Sequence, residues 1–296
     1  MSDVSRNTSS KTVRSTWLAG ALCAVAGLWV AGQPPLRAQQ TTPRANRLIE
    51  ALEAGKPALT GDTWTFVDRE HRPYDITELR ATLNKVLANK NAQGQPLLAP
   101  IVRIPPEGDQ EVRWIIKQVL ESGAMGIVIP QVESGPQALK IIQSMRYPQL
   151  KTSKYQNPPG RRGCGCSGGS GWGLKNPADY VELADVWPLN PRGELVPLPM
   201  IETPAGVKNI NAILDVPGVG GVLIGPTDLT MNYGEGRWSS TDAKPDTDEA
   251  IQTVARACVA KKKSCAMVTA NEAQTKKYLS DGFKIIFGTY LSGSSS

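Results

Sequence analysis

Histidine is nearly absent from this chain: His71 is the only one in 296 residues. A zinc centre therefore lacks the imidazoles it would need, and the five cysteines supply neither a CxxC pair nor a neighbouring histidine to complete a ligand set. Cys164 and Cys166, one residue apart in a glycine-rich stretch, and Cys258 and Cys265 do not form a disulfide framework; free thiols or a single bridge are expected. Long apolar runs are equally scarce. The one at 17–31 has 15 residues, short of the roughly 20 that a membrane-spanning helix requires. There is also no basic stripe with interleaved aromatics, which removes nucleic acid as a partner.

That apolar run has a recognisable setting. Arg6, Lys11 and Arg14 precede it, and Gly32, Pro34, Pro35 and Ala38 lead into a polar stretch, the layout of a secretory signal peptide. Cleavage after Ala38 removes 38 of the 296 residues and leaves 258, enough for one large domain, 39–296. The segment removed carries four basic residues and one acidic residue, so the net charge falls from +6 to +3. The basic balance is mostly a targeting signal. The protein is expected to be exported, periplasmic or secreted, and to meet a membrane only if residues 1–38 stay attached as an anchor.

Beyond the leader, short β-branched runs alternate with amphipathic helical patterns, the signature of βαβ units around a parallel sheet. Strands are predicted over 63–67, 100–103, 126–129, 198–201, 221–224, 265–268 and 284–287. Helices are predicted over 76–87, 110–121, 135–145, 205–214, 248–261 and 272–279. Asp109 and Thr203 stand at N-cap positions, Thr203 with Pro204 in the first turn. Seven strands with right-handed crossovers, plus an eighth short run at 58–60, give an α/β fold of the (β/α)8 barrel type. Too few residues separate Lys56 from Thr63 for a full first βα unit, so that unit is abbreviated. The connection from Tyr147 to Leu198 is long and rich in glycine; Trp172 and Tyr180 are expected to anchor it and Trp64 to lie in the core. Its glycines lack the GK[ST] ending of a phosphate-binding P-loop.

In such a barrel, residues at the C-terminal ends of strands line the active site. Asp68, Glu70 and His71 follow one predicted strand, Arg103 ends the next, and Glu202 and then Thr227 and Asp228 follow two others. Two carboxylates with water and substrate oxygens make a hard site suited to Mg2+ or Mn2+, with Co2+ also compatible. His71 has the intrinsic basicity for proton transfer near neutral pH, and Arg103 the fixed charge to stabilise a developing oxyanion.

The segments FVDREH (66–71), IVRI (101–104), GAMGIVIPQ (123–131), PPGRRGCG (158–165), PMIETPA (199–205) and VGGVLIGPTDL (219–229) occur in the order and spacing of one family. In them the chain resembles the HpcH/HpaI aldolases, class II pyruvate-dependent aldolases related to citrate lyase. The resemblance implies that Glu202 and Asp228 hold a divalent metal, that Arg103 lies beside the substrate keto oxygen, and that His71 is the acid/base group with Asp68 as its neighbour. It further implies that the backbone amides of Thr227 and Asp228 hold a pyruvate carboxylate, and that Arg162, in a loop beside the active site, matches the arginine of a GxRG motif. The activity implied is cleavage or formation of 4-hydroxy-2-oxo acids from a small 2-oxo acid and an aldehyde, in a homo-oligomer. A related metal-dependent lyase for another oxo acid or a thioester, and a noncatalytic 2-oxo acid binding protein, are the alternatives. Three departures from the family stand out: the abbreviated first unit, Met200 where relatives commonly have glutamine, and no long helix after Phe287.

Overall fold

A computed structural model describes residues 43–106, 111–174, 176, 178–236 and 244–288. The leader, the Asp109 cap and the chain after Gly288 lie outside the described residues. Eight parallel strands, β1 (Ala58–Leu59), β2 (Trp64–Asp68), β3 (Ala99–Arg103), β4 (Gly126–Ile129), β5 (Val196–Ile201), β6 (Leu223–Ile224), β7 (Ala266–Thr269) and β8 (Ile285–Gly288), run in the spatial order β1-β8-β7-β6-β5-β4-β3-β2. A single bridge from Thr60 to Trp64 links β1 to β2, so the ring is nearly closed. All seven predicted strands are present. The eighth is there too, and β2 follows β1 with no helix between them, as the short spacing required.

Helices wrap the sheet: α1 (Arg47–Glu53), α2 (Ile76–Ala88), α3 (Arg113–Glu121), α4 (Gly135–Met145), α5 (Asp179–Leu183), α6 (Pro204–Lys208), α7 (Ile210–Leu214), α8 (Pro226–Tyr233), α9 (Pro245–Ala260) and α10 (Glu272–Ser280). The apolar stripe of α3 buries Ile115, Ile116, Val119 and Leu120, and that of α2 buries Leu79, Leu83 and Leu87. Caps set several starts: Asp75 accepts from Thr77 and Glu78, Ser134 from Gln137, Thr203 from Gly206 and Asn271 from Gln274. The helix predicted over 205–214 is instead two short helices meeting at Asn209, whose Nδ2 donates to the Glu133 carbonyl at 2.8 Å. Helices α1 and α8 were not anticipated. The first is short, and the second begins directly after a strand with Gly-Pro, which reads as a turn.

The floor of the barrel, where the strands begin, is organised by buried ions. Glu194 accepts the backbone N–H of Asn46 at 2.9 Å and lies 3.5 Å from Arg44, while Asn46 donates to the carbonyls of Met125 and Glu194. Burial outweighs these partners and pushes the Glu194 carboxyl up to about 7 from 4.5. The folded protein therefore holds this proton more tightly than the unfolded chain. The stability this confers is fully present below about pH 4.5 and is lost as pH rises through about 7. Relative to Glu194→Gln, wild-type stability should fall by up to about 3 kcal/mol across that window. Urea unfolding of both proteins at several pH values would show it; parallel curves would mean that Glu194 ionises normally.

The long connection before β5 also belongs to the floor, since it joins the end of a helix to the start of a strand. It is built around Arg146, fully buried and paired with Asp185 at 2.6 Å. Trp172 donates to the Gly123 carbonyl at 3.0 Å and Tyr180 to the Leu120 carbonyl at 3.2 Å. Both rings are buried anchors, and Trp64 is a core residue, as expected. Arg162 is buried as well. Its guanidinium lies 4.3 Å from the Tyr147 ring centroid and donates to the Tyr180 hydroxyl at 2.7 Å. The resemblance set this loop beside the active site, but within this chain the connectivity puts it at the opposite end of the barrel. The cysteines form two pairs rather than at most one: Cys258 with Cys265, and Cys164 with Cys166.

Candidate active site

The C-terminal ends of β2 and β3 bring the first charged pair together. Asp68 and Arg103 are register partners in the parallel ladder, so their side chains emerge from adjacent strands at the same level. The Asp68 carboxylate accepts Arg103 Nε at 3.0 Å and Nη2 at 2.7 Å, a bidentate fork. Glu70 Oε2 takes Arg103 Nη1 at 2.9 Å. The guanidinium also lies 5.4 Å from the Phe66 ring centroid. Three of its five N–H groups are committed to carboxylates, which fixes the group while leaving one N–H on each terminal nitrogen.

Burial works to raise the Asp68 carboxyl, but the Arg103 hydrogen bonds and the Glu70 and His71 backbone N–H groups together hold it below its ordinary value. Glu70 goes the other way. Burial raises it, and the negative charges of Asp68 and Asp228 add to that, against Arg103 and His71. The imidazole was expected beside Asp68. In the structure the carboxylate facing His71 Nε2 is Glu70, at 3.8 Å, and the His71 side chain is 63 % exposed, open to whatever enters the mouth.

Glu202 follows β5 and is only 2 % exposed. Its Oε1 accepts the backbone N–H of Gln131 at 2.8 Å, and Gln131 takes a positive φ of 58° to offer it. Such a conformation in a residue other than glycine costs of order 1 kcal/mol, and it recurs where a site needs a particular N–H. Gly225 backs the same carboxylate. A Cβ there would stand 2.5 Å from Glu202 Oε2 and from Met200 Cε, so a larger residue would push both side chains aside. The Met200 methyl therefore packs beside Gly225 next to this carboxylate.

Asp228 lies in the first turn of α8, and Asn232 Nδ2 donates to the carbonyls of both Glu202 and Asp228 at 3.0 Å. Burial first, and then the nearby charges of Glu70 and Asp228, push the Glu202 carboxyl up to about 7. Three carboxylates therefore repel one another at one mouth with Arg103 as their shared counter-charge. A divalent cation would relieve that repulsion, and an all-oxygen donor set suits a hard ion, so the residues fit one. Among the described residues no three of His, Cys, Asp and Glu gather into a self-sufficient metal cage. Glu202 and Asp228 would have to share the ion with water or substrate.

The sequence identified Asp68, His71, Arg103, Glu202, Thr227 and Asp228 and gave no role to Glu70, Gln131, Gly225 or Asn232. Gln131 acts through a backbone N–H, Gly225 through the lack of a side chain, and Asn232 by donating its side-chain amide to backbone carbonyls, which residue type alone does not disclose.

A nearly closed eight-stranded parallel barrel with acidic groups, one arginine and one histidine at its mouth has the architecture of an α/β-barrel enzyme. The HpcH/HpaI aldolase/citrate lyase family matches residues 50–291, and the chain belongs to that family. It is 30 % identical over 258 residues to a hydroxypyruvate/pyruvate aldolase of Agrobacterium fabrum, covering 81 % of this chain and 86 % of that one. It is 28 % identical over 254 residues to a 4-hydroxy-2-oxo-heptane-1,7-dioate aldolase of Salmonella paratyphi A, covering 80 % and 85 %. The crystal structure of an HpcH/HpaI aldolase from Desulfitobacterium hafniense superposes with a TM-score of 0.64 at 25 % identity, over 82 % of this chain and 90 % of that one.

Proposed function

We propose that the protein is a divalent-metal-dependent aldolase that cleaves or forms 4-hydroxy-2-oxo acids through the enolate of pyruvate, in a homo-oligomer. The observation that carries this reading is the mouth itself, where Arg103 is fixed by two carboxylates next to a buried Glu202 raised to about 7 and an exposed imidazole. Glu202 and Asp228 would hold Mg2+, Mn2+ or Co2+. When bound, such an ion supplies positive charge to the carboxylate and keto oxygens of a 2-oxo acid.

The chain's own groups do the rest. The first-turn amides of α8 at Thr227 and Asp228 have no intrahelical partner and point toward the end where the strands finish, where they can accept a carboxylate. Arg103 directs its remaining N–H groups to the keto oxygen as negative charge builds there. His71 takes the proton of the C4 hydroxyl. The C3–C4 bond then breaks, its electron pair moves toward C3 and the keto oxygen, and an aldehyde departs. Proton return to C3 gives pyruvate. No step asks for a lysine.

The test is pyruvate release from a panel of 4-hydroxy-2-oxo acids, with and without Mn2+ and with a chelator. Metal-dependent release supports the aldolase. Turnover of thioesters alone would assign another lyase reaction, and binding without turnover a noncatalytic 2-oxo acid carrier.

Export is part of the same proposal, supported by the basic, apolar and small-residue order of residues 1–38. Intact-mass measurement on protein made in a secreting host should find an N-terminus near Gln39. A soluble intracellular product that keeps Met1–Ala38 would overturn it.

A further inference from the structure

The two cysteine pairs have opposite surroundings. Cys258 and Cys265 join the end of α9 to the start of β7, and both are buried, at 1 % and 0 % exposure. Cys164 is exposed and Cys166 half-buried, on the glycine-rich floor loop. We infer that Cys164 and Cys166 form a second, redox-active site that exchanges with external thiols, while Cys258–Cys265 is purely structural.

A bridge across a single residue adds little to folding, because closing so short a loop removes little entropy from the unfolded chain. The loop is nevertheless built to hold the two sulfurs together. Gly165, between them, donates its N–H to Glu121 Oε1 at 2.7 Å, and a Cβ at Gly165 would lie 2.5 Å from the same carboxylate, so a larger residue would displace the Glu121 side chain. Cys166 is held at φ 54°, in the left-handed region that a β-carbon disfavours.

The charged groups around the loop are of both signs, with Glu121 against the turn itself. Arg161 and Arg162 precede the pair, and Lys117, held by Glu121 at 2.9 Å, passes within 3.4 Å of where a Cβ on Gly163 would be. Arg162 is 1 % exposed, and its Nε and Nη1 have no hydrogen-bond partner among the described residues. Exposure is one of the features that separate reactive cysteines from inert ones, and it divides these two pairs.

In the exchange, an external thiolate attacks the exposed Cys164 Sγ. The Cys164–Cys166 bond breaks, its electron pair leaves on Cys166 Sγ, and a mixed disulfide forms at Cys164. A second external thiolate attacks the sulfur of that adduct, releases Cys164 as a thiolate, and leaves the external disulfide. Two thiols are oxidised and one protein disulfide is reduced; an external disulfide runs the sequence backwards. The site lies on the floor, so this chemistry is independent of the proposed aldolase reaction.

The experiment uses the full chain purified without reductant, treated under native conditions with reduced glutathione, quenched with an alkylating reagent and mapped by peptide mass. Cys164 and Cys166 should become alkylated about a hundredfold faster than Cys258 and Cys265, which should open only on unfolding. Cys166→Ser, which has no bridge for a thiol to attack, should instead form a glutathione adduct at Cys164 on treatment with oxidised glutathione, with release of one glutathione thiolate. The inference is overturned if both pairs open together, or if Cys164 and Cys166 are already fully alkylated before any thiol is added. The wild-type rates decide this even if the variant fails to fold.

Discussion

Glu202→Ala and Asp228→Ala should each lose divalent-cation binding and carbon–carbon cleavage together. Each variant removes one of only two protein carboxylates assigned to the ion, and the ion is asked to supply several kcal/mol of charge stabilisation. A fall in kcat/KM of about 10³-fold or more follows from that magnitude. The two variants differ in a way that separates a lost ligand from a lost fold. Glu202 is a buried carboxylate raised to about 7 by burial and by its acidic neighbours, so its removal relieves repulsion. Metal-free Glu202→Ala should therefore unfold at a denaturant concentration no lower than metal-free wild type near neutral pH. Calorimetric Mn2+ titration and urea unfolding of the same preparations check both statements. Unchanged Mn2+ affinity in either variant would move the metal site elsewhere and remove the basis of the proposed reaction.

The strands were legible in the sequence because each is a short β-branched run flanked by glycine, proline or a polar break, and β3, β4 and β5 are almost wholly buried. Charged residues at strand ends were legible for a related reason: a parallel barrel has only one place to put them. What the sequence withheld was contact. The ladder register that sets Asp68 against Arg103 is a property of strand pairing, and so Asp68 was assigned as neighbour to the imidazole three residues after it. Gln131 reaches Glu202 across 71 positions through a backbone N–H, and nothing in a glutamine side chain announces that. The floor loop was misplaced because a motif match carries residues but not which end of the barrel they occupy. The route from the end of α4 to the start of β5 decides that, and it runs along the floor.

His71→Ala should separate enolate formation from cleavage. Its side chain is 63 % exposed and packs against little, so the substitution should change stability by no more than about 0.5 kcal/mol. Arg103 stays held by Asp68 and Glu70, and Glu202 stays on the Gln131 amide, because none of those bonds involves the imidazole. Pyruvate should still bind, and its methyl protons should still exchange with solvent, since the groups that stabilise negative charge on the keto oxygen are intact. Cleavage needs a proton removed from the C4 hydroxyl and should fall by about 10²–10⁴, the usual worth of a general base. Proton exchange followed by NMR, alongside pyruvate release from a 4-hydroxy-2-oxo acid, gives both numbers on one sample. Equal loss of the two rates would mean that His71 positions the bound acid rather than the leaving aldehyde. Cleavage at the wild-type rate would pass the role of base to Glu70, which already stands 3.8 Å from the imidazole and whose carboxyl burial has raised toward the range where it can carry a proton.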